Sequence, residues 1–377
     1  MKIAALLSLL FLSACTGKWK PQSPRTPEPS LTRGWSYVEP EKEALSIGAG
    51  IVPVSYSAPI IVGEKLIFGS ERFGLTVLSK RSGQVLWQKA FAEPVAAAPF
   101  ADTGRVFVGT LAGDLYQFNL DTGQEAWKVP LSAAVHGTFL EAFDRLYVAT
   151  VDEALHAVDP ATGKILWTYR RPAFSGTSIR GGGNPAAIGG KIWMGFSDGA
   201  LVSIDPQTGG QDSERVFRDN LKFTDLHARV LGWKEGLIVS TYDGKLRSLR
   251  KDGSLSWEFP AGSARNPILN DGVVYLPASD GIVYAISADT GKELWRYSLK
   301  KGVPTSLSIV NRGGEKALLV TASEEKVLLL GLGQGKLLDQ SSLGKGSGSY
   351  SPVAVDDEGK TFYVLSAFSR VYQYHLN

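Results

Sequence analysis

Few residues in this sequence are placed to do chemistry, and the ones that recur do so as a set: an aspartate, a threonine, a glycine and a tryptophan. Asp159, Thr162, Gly163 and Trp167 form one copy, inside ALHAVDPATGKILW. GDLYQFNLDTGQEAW, ending at Trp127, and GIVYAISADTGKELW, ending at Trp295, carry two more. Used once, such a set reads as a site; used at a fixed period, it reads as architecture. The remaining candidates are sparse. The four histidines, His136, His156, His227 and His375, lack metal-ligand spacing. No cluster of acids along the inner strands gathers the several oxygens that calcium requires. The single cysteine, Cys15, rules out an intrachain disulfide and a cysteine-rich metal site. RGGGNP at 180–185 lacks the strand-to-helix context of a phosphate loop. The residues therefore predict no metal, no cofactor and no catalysis.

The elements that must position these residues follow from the period. The glycine four places ahead of the tryptophan slot falls at Gly83, Gly123, Gly163, Gly209, Gly253, Gly291 and Gly335, at intervals of 40, 40, 46, 44, 38 and 44. The slot holds Trp87, Trp127, Trp167, Ser213, Trp257, Trp295 and Asp339; Ser213 and Asp339 read as tolerated drift. Segments such as RVFVGT, DLYQFNL and EAWKVPL are short, rich in β-branched and aromatic residues and bounded by turn signals, and read as strands with period-two alternation. Asp198-Gly199, Asp243-Gly244 and Asp280-Gly281 fit tight hairpins that need positive φ. In Asp159-Pro160-Ala161-Thr162-Gly163 the Asp and Thr side chains can bond nearby N–H groups while the glycine turns left-handed. Each unit thus reads as four antiparallel strands, A to D from the inside out. Four strands in 38 to 46 residues make a propeller blade. The tryptophan opening strand D is a wedge between blades, with its N–H placed to meet a backbone carbonyl.

Ring closure is also predicted. After Gly335 come SYSPVAVD, TFYVLSAF and SRVYQYHLN, three strands without a fourth, whereas RGWSYV around Trp35 precedes the first inner strand, SAPIIV. The N-terminal segment is expected to supply the missing outer strand, so that no strand edge is left open. The fold class expected is all-β: an eight-bladed propeller over residues 33–377, about 43 residues per blade.

Composition bounds the partners. The chain has 377 residues, is 20% charged and carries a net charge of +3 without a basic run or stripe, which gives nucleic-acid binding no support. Lys2, an apolar run from Ile3 to Leu12 and then Ser13-Ala14-Cys15 make a secretory signal over residues 1–14, too short to span a bilayer. Residues 15–32, with Pro21, Pro24, Pro27 and Pro29, read as an extended tether. One connection breaks the repeat. Trp87 to Pro99 is 12 positions, but the equivalent step from Trp167 to Pro185 is 18, through RRPAFSGTSIRGGGNP. Such an insertion is frequently a binding element, and the next D-to-A connection, FRDNLKFTDLHARV, is its neighbour on the same face.

Three resemblances add to this reading. Leu-Ser-Ala-Cys15 resembles the lipobox of bacterial lipoproteins, which implies acylation of Cys15; Thr16 in place of an aspartate implies sorting to the outer membrane, facing the periplasm. Ala157-x-Asp159-x-x-Thr162-Gly163-x-x-x-Trp167 resembles the tryptophan-docking motif of the pyrroloquinoline-quinone-type propellers, whose dehydrogenases carry an adjacent cysteine pair that this chain lacks. Lipobox and blade number together resemble the BamB family of lipoproteins, scaffolds of outer-membrane β-barrel assembly. That resemblance implies a BamA-like barrel protein as partner, held through its periplasmic domains, with unfolded outer-membrane proteins as further partners. It maps the contact surface onto Thr177, Ile179 and Arg180 in the first connection and Asp225 and His227 in the second, His227 standing where the family has an acid. Arg180 would pair with a carboxylate or carbonyls of the partner, beside Ile179 as an apolar anchor. Asp225 would orient Arg180 or accept a bond from the partner. The alternative is an internal Arg180–Asp225 pair that pins the two loops. Two other functions stay open: a quinone-dependent dehydrogenase or its inactive relative, and a propeller with a small ligand in its central channel.

Overall fold

Each sequence unit closes into its own four-stranded antiparallel sheet, and eight such sheets are present. The computed structural model describes residues 30–38, 57–70, 74–95, 97–172, 183–217, 225–242, 244–324, 326–344, 347–367 and 369–377. In blade 3, strands A to D are Leu140–Ala142, Arg145–Thr150, Ala154–Val158 and Ile165–Arg170. Eight separate hydrophobic clusters hold the ring, each shared by two adjacent blades. One joins Tyr147 and Leu155 of blade 3 to Met194 and Val202 of blade 4; another joins Val310 and Leu329 of blade 7 to Phe362 and Tyr374 of blade 8.

This arrangement corrects the expected alternation. Strict period two appears in outer strands such as Ile165–Arg170 and Leu337–Ser342. Strand C of blade 3, Ala154–Val158, is buried at every residue. The middle strands are covered by a neighbouring blade on both faces, so they need apolar residues on both. Only the rim strand has a face left for water.

The eighth blade joins the two ends of the chain. Ala354–Val355, Thr361–Leu365 and Val371–Leu376 supply strands A to C, and Leu31–Tyr37 supplies strand D. Leu31 pairs with Leu376 and Tyr37 with Val371, and Asn377 N–H donates to Ser30 O at 3.0 Å. The closing strand begins at Leu31.

The recurring tryptophans lock blade to blade. Trp127 Nε1 donates to Pro160 O at 3.3 Å and Trp167 Nε1 to Pro206 O at 3.1 Å, each on the C–D hairpin of the next blade. Trp87, Trp257 and Trp295 do the same. So does Trp35, whose Nε1 donates to Lys80 O at 3.1 Å across the closing seam. The hairpin glycine serves twice. Gly163 has φ +74°, and a Cβ built on it would come within 2.7 Å of the Trp127 ring. Asp159 and Thr162 hold the same turn, through Ala161 N–H to Asp159 Oδ1 at 2.9 Å and Thr162 Oγ1 to Asp159 Oδ2 at 2.7 Å.

The two departures from the slot are substitutions with work to do, which corrects the expectation of drift. Blade 8 draws strands C and D from opposite ends of the sequence, so it has no C–D hairpin against which a tryptophan could dock. In its place Asp339 Oδ2 accepts from Leu31 N–H at 2.8 Å, gripping the start of the closing strand. In blade 4, Ser213 bonds within its own sheet to Ser203 at 2.7 Å, and the next blade is reached by the Arg215 guanidinium, which donates to Gly253 O.

Candidate functional site

The connections from strand D to the next strand A share one face of the disc with the B–C hairpins, as expected. Backbone bonds tie the two sets together: Leu111 N–H to Pro94 O at 3.0 Å, Val151 N–H to Ala134 O at 3.0 Å, Tyr242 N–H to Asp225 O at 3.1 Å and Ser279 N–H to Gly262 O at 3.0 Å.

The enlarged connection leaves blade 3 through two arginines. Arg170 pairs with Asp152. Arg171 reaches blade 4, with Nη2 2.6 Å from Asp198 and 3.1 Å from Glu214 and its guanidinium 5.4 Å from the centre of the Phe196 ring. Burial alone would lower the Arg171 guanidinium, but the bonds to Glu214 and Asp198 prevail and hold it above its ordinary value. Beside it, Glu153 sits at φ +61°, a conformation costly for a non-glycine residue, with Oε1 accepting from Ser197 Oγ at 2.5 Å. The base of the loop is thus clamped to the following blade by buried and half-buried charge.

Thr177, Ile179 and Arg180 lie outside the described residues. Asp225 and His227 are described and adjacent. Asp225 is buried, and His227 Nε2 lies 3.1 Å from Asp225 Oδ1. The second connection rests on blade 4, where Leu226 N–H donates to Phe196 O at 3.2 Å. His227 O accepts from Asn184 Nδ2 at 3.0 Å, so the end of the first connection is bonded to the second. The two expected loops are therefore neighbours at their roots.

Sequence reasoning missed the residues at the axis. Asn184 Oδ1 accepts from Thr138 N–H at 3.0 Å and Thr138 Oγ1 at 2.9 Å. Arg229 Nη2 donates to the same Thr138 Oγ1 at 2.9 Å, and Arg229 N–H donates to Asn266 Oδ1 at 2.7 Å. Arg265 Nη1 donates to Tyr350 O at 3.2 Å, reaching from blade 6 to blade 8. These bonds form a polar rim around the channel mouth. Beneath it a cavity of about 370 Å³ runs along the inner strands of blades 8, 1, 2 and 3, walled by Ala58, Ile60, Ala98, Phe100, Val353 and Val355, with Thr138 and Asp357 as its polar lining. A signal existed: Thr138, Asn184, Arg229 and Asn266 each stand two places ahead of the strand A residue that opens their blade. It becomes useful only once the register of each inner strand is known.

His156 illustrates the other fate of a chemically capable side chain. It is buried in blade 3 among hydroxyls, 3.1 Å from Ser132 Oγ, 3.2 Å from Thr150 Oγ1 and 3.0 Å from Thr168 Oγ1. Burial holds its imidazole down at about 4, against a weaker upward pull from Asp152. Among the described residues no three His, Cys, Asp or Glu side chains gather as metal ligands.

A closed eight-bladed ring, its blades locked by docked tryptophans and its long connections gathered on one face, defines a propeller of the quinoprotein-like class. A sequence profile described as outer membrane protein assembly factor BamB matches residues 71–231 and 220–375, and the chain belongs to that family. The outer membrane protein assembly factor BamB of Shewanella oneidensis is 26% identical over 321 residues, covering 78% of this chain and 80% of that one. The tetrathionate hydrolase of Acidithiobacillus ferrooxidans is 25% identical over 298 residues, covering 78% of this chain but only 54% of the hydrolase. The crystal structure of BamB from Moraxella catarrhalis shares the fold with a TM-score of 0.75 at 19% identity, across 92% of this chain and 100% of that one.

Proposed function

We propose that this chain is a non-enzymatic scaffold lipoprotein of outer-membrane β-barrel assembly. On this reading Cys15 is acylated at the end of a signal spanning residues 1–14, and residues 15–32 tether the propeller to the outer membrane on its periplasmic side. The connections between blades 3, 4 and 5 hold the periplasmic domains of a BamA-like barrel protein, and unfolded outer-membrane proteins are further partners. The observation that carries this is the family match, which runs from residue 71 to residue 375. The rooting of both connections on one face supports the location: Arg171 clamps one and Asn184 ties it to the other. Within that surface Arg180 supplies a planar fork for a carboxylate or carbonyls of the partner, Ile179 and Thr177 flank it, and Asp225 with His227 forms its buried footing.

The test is a crosslinked pull-down from solubilised membranes, comparing wild type with Arg180→Glu. The expected result is that wild type captures a large barrel protein with periplasmic domains, whereas the variant loses it and melts at an unchanged temperature. A variant that captures equally well removes Arg180 from the interface. A lost melting temperature makes Arg180 an internal pin. Failure of folded, membrane-bound wild type to capture such a protein overturns the scaffold reading. The likeness to a tetrathionate hydrolase favours a second, enzymatic reading, which consumption of tetrathionate by the purified chain would establish.

A further inference from the structure

The channel mouth is chemically lopsided. At the position two residues ahead of the opening residue of strand A, blades 1 to 6 carry Ala58, Ala98, Thr138, Asn184, Arg229 and Asn266. Methyl groups therefore face polar groups across the axis, and the cavity of about 370 Å³ lies on the methyl side, with Thr138 and Asp357 as its polar lining. That volume is at the lower end of what small-molecule sites enclose.

Arg229 is the unusual member of this rim. It reaches past blade 4 to donate to Thr138 Oγ1 at 2.9 Å, so its guanidinium stands one hydrogen bond from the cavity. Among the described residues no carboxylate pairs with it, and its Nε is buried without a hydrogen-bond partner. Burial pushes the guanidinium below its ordinary value, yet an arginine in a protein stays charged. A half-buried cation with an unpaired donor gains from a counter-charge. Arg247, which is buried, has Glu258 at 3.0 Å. Arg265, on the next blade's rim, adds a second positive group at the same mouth.

We propose that the channel mouth binds a small carboxylate with an apolar body, the carboxylate pairing with Arg229 beside Thr138 and the body lying down the channel against Ala58, Ala98 and Phe100. The two halves of the site select together. An apolar molecule without charge leaves Arg229 unpaired, and a bare anion leaves the methyl wall wet. Arg229 belongs to the second of the two long connections, two residues past His227, but the existence of this site does not depend on the scaffold reading.

The test is a calorimetric titration of the purified full chain with 3-phenylpropionate, 3-phenylpropanol and acetate. The expected result is saturable binding of 3-phenylpropionate at least about ten-fold tighter than either of the others, as pairing a half-buried cation predicts. Arg229→Gln is expected to lose at least about ten-fold in affinity, because it keeps a donor for Thr138 but removes the charge. Ala98→Phe fills the apolar side of the mouth and leaves Arg229 and Thr138 unchanged, and is expected to abolish binding at an unchanged melting temperature. If Arg229→Gln fails to fold, Ala98→Phe decides alone. The proposal is overturned if wild type does not bind 3-phenylpropionate saturably, if the alcohol or acetate binds as well, or if the folded variants bind like wild type.

Discussion

At the scale of single residues, burial decides which chemically capable groups can act. His156 has three hydroxyl partners and is held neutral, with its imidazole at about 4. In an unfolded chain the same group protonates near 6.5. Because the folded value is the lower one, the unfolded state binds the extra proton as pH falls below about 6.5, and stability drains away until about pH 4. Below that the loss is complete, and it amounts to roughly 3 kcal/mol. His156→Gln, which keeps hydrogen-bonding capacity without a titrating ring, is expected to show a smaller drop in urea midpoint between pH 7 and pH 4 than wild type. An equal drop would place the acid sensitivity elsewhere. At the same scale Asp225 and His227 were legible in the sequence as a pair, but their burial was not. Two polar residues in a loop segment give no sign that a neighbouring blade encloses them.

At the scale of the element, the C–D hairpin and the tryptophan docked on it form the unit of cohesion. Truncating Trp127→Ala removes a ring packed over Gly163 and a bond to Pro160 O, and is expected to cost about 3–5 kcal/mol. Gly163→Ala attacks the same joint from the other side. Its Cβ would meet the indole at 2.7 Å in a backbone conformation at φ +74° that disfavours a side chain, so a loss above about 1 kcal/mol is expected. Denaturant midpoints of the two single variants and of the double variant check this. If the joint is a single contact, the double variant loses clearly less than the sum. Full additivity would mean that the two residues act independently. This joint was readable because all its parts recur at a fixed spacing. The stand-ins, Asp339 and Arg215, were not readable. Each takes its meaning from a partner, Leu31 or Gly253, that the repeat itself does not specify.

At the scale of the whole molecule, closure is a contact between residues more than three hundred positions apart. Leu31–Tyr37 covers Val371–Leu376, Trp35 docks on the first blade, and Asp339 holds Leu31. Deleting residues 30–38 is expected to bare a strand edge and lead to concentration-dependent association, seen by light scattering. Asp339→Ala is the milder version. It should raise amide exchange in Leu31–Tyr37 and leave the middle strands of blades 2 to 6 protected. Uniform acceleration around the ring would mean that the seam is no weaker than any other joint.

The sequence by itself determined the number of blades, their order, the closing strand and the tryptophan joints. These rest on local pattern: turn residues, β-branched runs and a ring repeated about every forty residues. Such information survives in one dimension because each blade contacts little beyond its neighbours. Only the tertiary structure decided what happens at the axis. Thr138, Asn184, Arg229 and Asn266 come from four blades and meet there because each inner strand fixes the angle and height of one side chain. Their spacing in the chain, 46, 45 and 37 residues, follows the repeat, but the residue type changes from blade to blade, so the period marks their position and not their role. The local pattern names the blades, and the closing of the ring brings the rim residues together.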